Sequence, residues 1–242
     1  MKRLALPGIL IFLVVLVATF PAKVAYKWFA PAELQLSGIA GSIWSGSALQ
    51  GYAAGAYVRD ISWQFKPTSL LTGTLGFRTH SNPATGTLSA DVAVSPGGKL
   101  RLSDVSGNLP LDLLHPAMQQ SGIRGDIALD FKSVDIENGM PVSAEGSVTV
   151  SDFFVPDLSS ARIGDFRADF QTNGRFVIAS VEDVSGVLDV AGTISLHQDG
   201  TYSFIGQVAP TPVTPPSIVN QLRFLGSANE RGQHEFRFEG QL

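Results

Sequence analysis

Residues 165–209 read DFRADFQTNGRFVIASVEDVSGVLDVAGTISLHQDGTYSFIGQVA, and the spacing of their apolar side chains decides the fold. Successive side chains of an extended chain point to opposite faces, so Phe166, Ala168 and Phe170 share one side and Asp165, Arg167 and Asp169 the other. Asn173-Gly174 and Asp199-Gly200 separate such runs at hairpin distance, where the turn needs residues that accept positive φ. The pattern predicts strands at about 165–172, 175–183, 186–196 and 201–209, joined as an antiparallel meander with one buried and one wet face.

The same period of two extends outward in both directions. Leu88, Ala90, Val92 and Val94 oppose Thr87, Ser89, Asp91 and Ala93; Ile127, Leu129 and Phe131 oppose Asp126, Ala128, Asp130 and Lys132; Phe236 and Phe238 oppose Glu235, Arg237 and Glu239. With further turn signals at Pro96-Gly97-Gly98 and Asn138-Gly139, roughly a dozen strands are expected. Two short helices should interrupt them, over 110–120 and 215–225. In the second, Thr214 is placed to cap the start, Ile218, Val219, Leu222 and Leu225 form one apolar stripe, and Gly226 ends it. Such a helix is expected to plug one end of a curved sheet. The string DVSG recurs at 104–107 and 183–186, each expected where one strand ends and the next begins. No long linker divides the body, so one continuous sheet is expected rather than two domains.

Ahead of this body lies an apolar run at residues 4–20, LALPGILIFLVVLVATF, with Lys2 and Arg3 before it and Lys23 and Lys27 after it. As a helix it spans roughly 26 Å, close to the ~30 Å hydrocarbon core, and the lysines can snorkel to cover the shortfall. Its Leu, Ile, Val and Phe side chains favour insertion by about 4 to 7 kcal/mol before Pro7 and Gly8 count against it. A cleaved signal peptide is the competing reading. The run exceeds the usual signal core, and Ala30-Pro31-Ala32, the one small-x-small site nearby, lies about ten residues too late. The expected organisation is a tail over 1–3, a single transmembrane helix over 4–25 and a β-rich domain over 26–242. Basic charge on the two flanks nearly ties; a short tail inside and a large domain outside is the simpler arrangement.

Composition excludes several functions. Charged residues are 16% of the chain, the net charge is −4 and no basic patch exceeds two residues, so nucleic acid is not an expected partner. There is no cysteine, which excludes disulfides and thiolate metal sites, and none of the asparagines sits in a glycosylation sequon. His80, His115, His197 and His234 are far apart and lack the carboxylate spacing of metal ligands. No G-x-G-x-x-G or P-loop string occurs, and Ile43 stands where a nucleophile elbow around Ser45 would need glycine. Acidic residues are spread over the polar faces of the strands, as a solvated sheet face requires. No catalytic, cofactor or metal residue is assigned, and the chain is expected not to be an enzyme.

The most distinctive local sequence is LQLSGIAGSIWSGSALQG at 34–51, strand-like on both sides of a glycine-rich bend. Glycine permits positive φ or close backbone approach there, and Trp44 offers a large apolar anchor beside the membrane. Gly41, Trp44, Gly46 and Gly51 are therefore the candidate residues, either of the first hairpin of the sheet or of a partner-docking edge.

This segment, with FPAKVAYKW at 20–28, PPSIVNQLRFLG at 215–226 and the terminal HEFRFEGQL at 234–242, resembles the type II secretion system protein N family nearly end to end. The resemblance implies a single-pass inner-membrane protein of a Gram-negative bacterium, with a periplasmic, curved, mostly antiparallel AsmA-like sheet. Its role would lie in exporting folded proteins across the outer membrane, with the inner membrane and other secretion subunits as partners and no catalytic residues. Two roles follow: a structural component whose sheet edges or loops bind other subunits, or an AsmA-like groove that takes lipid. The bulky apolar row of Phe131, Phe166, Phe170, Phe176, Phe204, Phe236 and Phe238 suits a filled interior more than a hollow one.

Overall fold

The computed structural model describes residues 12, 15–30, 34–53, 56–83, 85–114, 122–159, 161–174 and 176–241. In chain order the elements are helix α1 (Ala22–Phe29), strands β1 (Leu34–Ser37), β2 (Ala40–Gly41), β3 (Ser45–Ala53), β4 (Ala56–Lys66), β5 (Leu75–Pro83), β6 (Thr87–Val94), β7 (Leu100–Pro110), β8 (Arg124–Glu137), β9 (Met140–Phe154), β10 (Gly164–Asn173), β11 (Phe176–Gly186), β12 (Leu188–His197) and β13 (Thr201–Pro210), helix α2 (Pro216–Leu222) and strand β14 (His234–Gln241). All strands belong to one antiparallel sheet, in which every strand from β3 onward pairs with its successor in sequence. β1 and β2 both pair with β3, at Leu34↔Ala53 and Ala40↔Ser47, so they form one edge strand interrupted at Gly38-Ile39. The path ends at β14, which does not meet β1; the sheet is curved and open.

The meander follows the period-two pattern, and its turns fall at the predicted pairs. Glu137 faces Met140 across Asn138 and Gly139, whose φ values of 52° and 81° give the twist that a two-residue hairpin needs. Asn173 faces Phe176 at the β10–β11 turn. The DVSG string at 183–186 does close β11, but the copy at 104–107 lies inside β7. There Asp104, at φ 51°, makes a bulge, so Ser103 and Ser106 pair with Asp91 and Ser89, two positions apart. Asp60 and Asp152 also hold positive φ inside strands, beside further register shifts. Aspartate tolerates this conformation better than bulkier residues, and each bulge adds local twist that coils the sheet.

The helices depart from expectation in detail. Over 110–120, Leu111–Leu114 forms a 3₁₀ turn and residues 115–120 lie outside the described set. Thr214 does not cap α2: its hydroxyl accepts the Thr211 N–H at 2.7 Å and bonds the Val187 carbonyl. Pro215 occupies the cap position and Pro216 opens the helix, so the threonine lies one residue outside the cap and ties the approach to β12 instead. After a 3₁₀ turn over Arg223–Leu225, Gly226 ends the helical segment at φ 110°.

Residues 4–11, 13 and 14 of the expected membrane helix over 4–25 lie outside the described residues, and among those described no helix is long and apolar enough to cross a membrane. Residues 15–18 are helical, but residues 22–25 belong to α1, which is a separate helix. Pro21 is extended, with φ −67° and ψ 131°, and bridges Ser42. It has no N–H to continue the preceding turn, and its ring disfavours a helical residue before it.

Because strands alternate in direction, the β7–β8, β9–β10, β11–β12 and β13–β14 connections share one end, and the buried core gathers there. Leu111, Ile123, Ile127, Val155 and Ile163 form one cluster against Val150, Phe153 and Phe166. Ile218 and Leu222 of α2 pack on Val208 and Phe236 in a second. The helix plugs this end as predicted. The whole chain exposes 15229 Å², against about 10,400 Å² for a compact protein of its 25.7 kDa mass. A single-layer sheet with one uncovered apolar face contributes to the excess.

Candidate functional site

The inner face is apolar from β5 to β14. Phe77, Val92, Leu102, Val134 and Ala144 are successive cross-strand partners. Phe170, Ala179, Ile194, Phe204 and Phe238 continue the same arrangement to the last strand. Several rings lie flat over a neighbouring strand. A Cβ on Gly192 would come within 2.7 Å of the Phe204 ring and one on Gly206 within 2.6 Å of Phe236, so only glycine admits these rings.

Flat rings cover the surface without filling the space above it. Three apolar hollows result. One of about 520 Å³ lies between α1 and β4–β6, lined by Tyr26, Ile61, Trp63 and Phe77. A second, of about 460 Å³, is lined by Leu102, Phe131, Phe170 and Leu196, and a third, of about 520 Å³, by Val150, Phe166, Phe204 and Phe236. Six phenylalanines of the bulky row expected to fill an interior line a trough instead, because an open sheet has no facing layer for the rings to interlock with; the seventh, Phe176, alternates with Val177 onto the opposite face and packs on His197.

The outer face is polar and paired. Asp135 accepts both Arg101 N–H groups, at 2.6 and 2.9 Å, and lies 3.5 Å from Lys99. The Arg101 hydrogen bonds hold its carboxyl below the usual carboxylate range despite partial burial. Arg167 with Asp169 and Lys132 with Glu145 continue this face. Among the described residues no cluster of acids and histidines is arranged to hold a metal ion. His197 packs edge-on against Phe176, and His234 Nδ1 bonds the Gly226 carbonyl at 2.8 Å; His115 lies outside the described residues.

The two edges of the sheet differ. At β1 the Tyr26 hydroxyl of α1 donates to the Leu34 carbonyl at 3.0 Å and accepts the Leu36 N–H at 2.9 Å. One side chain thus does the pairing of a missing neighbour strand. Beside it the Ile43 N–H donates to the Phe20 carbonyl at 3.0 Å. The chain's own N-terminal segment therefore closes this edge. β14 pairs with β13 from Thr201↔Gln241 to Val208↔His234 without a register shift, and no strand lies beyond it among the described residues. It carries neither proline nor lysine, and Phe238 is 56% exposed. Such an edge is a template for another strand.

Of the four candidate residues, Gly41, Trp44 and Gly46 meet at the β2–β3 turn, and Gly51 lies further along β3 opposite Leu36. Gly41 is at φ 87°, and a Cβ there would fall 2.5 Å from the Ser45 carbonyl oxygen. Gly46 lies beneath the Trp63 ring. Trp44 is half-buried: its indole N–H donates to the Val17 carbonyl at 2.7 Å, and its ring meets Phe65 edge-on at 4.8 Å. It clamps the N-terminal helical segment to the sheet. We expect Trp44→Phe to cost about 1 kcal/mol through the lost hydrogen bond, and Trp44→Ala about 2–3 kcal/mol, both read by chemical unfolding. Limited proteolysis should cut the 15–20 segment faster in both. Tyr26 is the residue that sequence reasoning missed, since a lone tyrosine on a short helix gives no sign of what its hydroxyl will meet.

These surfaces define a class: an open β-meander that offers an apolar trough and one free edge, with its other edge closed by its own N-terminus. Comparison with known proteins gives the family. A family model described as type II secretion system (T2SS), protein N matches residues 32–237, and the chain belongs to that family. It is 26% identical to the type II secretion system protein N of Vibrio cholerae serotype O1 over 257 aligned positions, covering 100% of both chains. It is 21% identical to the protein of the same name from Aeromonas hydrophila, over 88% of this chain and 86% of that one. No solved structure matches it.

Proposed function

We propose that this chain is a non-enzymatic inner-membrane component of a type II secretion system. Its apolar N-terminus spans the membrane once, its β domain lies in the periplasm, and it serves the export of folded proteins by binding other secretion subunits. The bare β14 edge, set against a β1 edge closed from within, carries this reading. A partner can add an extended strand there, gaining main-chain hydrogen bonds for affinity and side-chain pockets beside Phe236 and Phe238 for selectivity. A photo-crosslinker at Glu239, in cells running the secretion system, is expected to yield adducts with other secretion subunits, while one at Gly139 is not. Cells lacking the chain should retain exported proteins in the periplasm. Absence of β14 adducts together with normal export would sink the proposal.

A second reading has its own observation. Three apolar hollows of about 460 to 520 Å³ each lie along the inner face, and apolar lining of that kind suits acyl chains, so the domain can serve as a lipid-binding groove. Mass spectrometry of the gently purified protein distinguishes the two. Stoichiometric lipid supports the groove, whereas lipid-free protein that still captures secretion subunits eliminates it.

A further inference from the structure

We propose that the 3₁₀ turn Pro67–Thr72, between β4 and β5, is a second membrane contact, with Leu70 and Leu71 seated at the headgroup–acyl boundary of the bilayer that the N-terminal run enters. This rests on the membrane-anchor reading above and adds a site to it. Leu71 is 88% exposed and Leu70 55%, and the turn has no buried residue. Single exposed leucines are ordinary; an adjacent pair at the tip of a rigid turn is less so.

The turn is rigid because its polar groups are satisfied inside it. Ser69 Oγ donates to the Lys66 carbonyl at 2.6 Å and accepts the Gly76 N–H at 2.8 Å. The Thr72 and Thr74 hydroxyls both donate to the Ser69 carbonyl, at 2.8 and 3.1 Å. With the Ser69, Thr72 and Thr74 hydroxyls bonded inside the turn, Leu70 and Leu71 are the large apolar side chains that the tip presents, beside the exposed Pro67 and Thr68.

Position selects the bilayer as the occupant. Strand alternation puts the β4–β5 turn at the same end of the sheet as the β2–β3 turn, where the N-terminal segment joins. Phe65, two residues before the turn, donates its N–H to the Trp44 carbonyl at 2.6 Å, and Trp44 holds Val17. Val15, Leu16 and Val17 are themselves exposed apolar residues of that segment. Charge agrees. Residues 21–32, which follow the apolar run on the sheet's side of the bilayer, contain no acid and carry Lys23 and Lys27, and residues 67–75 carry no charge at all. This end is suited to anionic headgroups with apolar chains beneath them.

The chain's lack of cysteine makes the test direct. Leu71→Cys in the full chain would carry an environment-sensitive fluorophore, after reconstitution into phosphatidylethanolamine–phosphatidylglycerol vesicles. Val213→Cys, 69% exposed at the opposite end of the sheet, serves as the reference, and circular dichroism checks both folds. The expected result is a blue-shifted label at 71, quenched by shallow nitroxide lipids and protected several-fold from iodide relative to 213. A chain that floats with the vesicles while its label at 71 stays as open to iodide as that at 213 overturns this proposal alone. A label shielded from iodide and lipid quenchers alike marks a protein contact and also overturns it. A chain that does not float overturns the anchor reading and this proposal together.

Discussion

Placing aspartate at both Val14 and Val15 is expected to release the chain from washed membranes into the soluble fraction. The pair costs about 5–7 kcal/mol on an insertion scale, which cancels what the apolar run gains. Val15 is already 53% exposed, so its replacement removes little packing, and the circular dichroism of the β domain should be unchanged. Retention of this variant would mean that the sheet itself, through its own surface, holds the membrane. That outcome would remove the anchor from the account and leave the family membership standing.

Ile163→Ala is expected to be the most damaging single truncation in the β domain. Ile163 is the one large side chain, among the described residues, with less than 2% of its surface exposed. Its N–H donates to the Phe153 carbonyl and its carbonyl accepts the Val187 N–H, both at 2.8 Å, so it links β9, β10 and the approach to β12. A cavity here has few ways to collapse, and the expected cost is about 3–4 kcal/mol. For a domain of this size that lowers the thermal midpoint by about 10 °C, measurable by circular dichroism or calorimetry. Leu71→Ala, at a side chain with nothing packed on it, should shift the midpoint by almost nothing. Equal shifts for the two would show that the end cluster is not the core that burial indicates.

The meander was legible because period-two alternation and Asn-Gly or Asp-Gly turns are local signals, and strands that pair with their sequence neighbours need no others. The proline-led helix over 215–225 was legible for the same reason, although the role of Thr214 was not: whether a hydroxyl caps a helix or reaches Val187 depends on where β12 lies. Openness was not legible, since an end strand such as HEFRFEGQ reads alike beside a neighbour or beside water. The trough was misjudged because the sequence counts phenylalanines without saying whether their rings stand up or lie over Gly192 and Gly206. At the candidate hairpin, the glycine-rich bend was readable, while the Trp44 bond to Val17 and the Tyr26 bonds to β1 depend on a helix break at Pro21 that the apolar run concealed.

Because each strand from β3 onward finds its mate immediately after it in the chain, the sheet can zip in one direction as synthesis proceeds, without waiting for distant segments. Tyr26 and Pro21 stand ready at the starting hem before the first full hairpin arrives. Among the described residues the final ribbon is held along one side alone, so fraying should begin at that margin and travel backward.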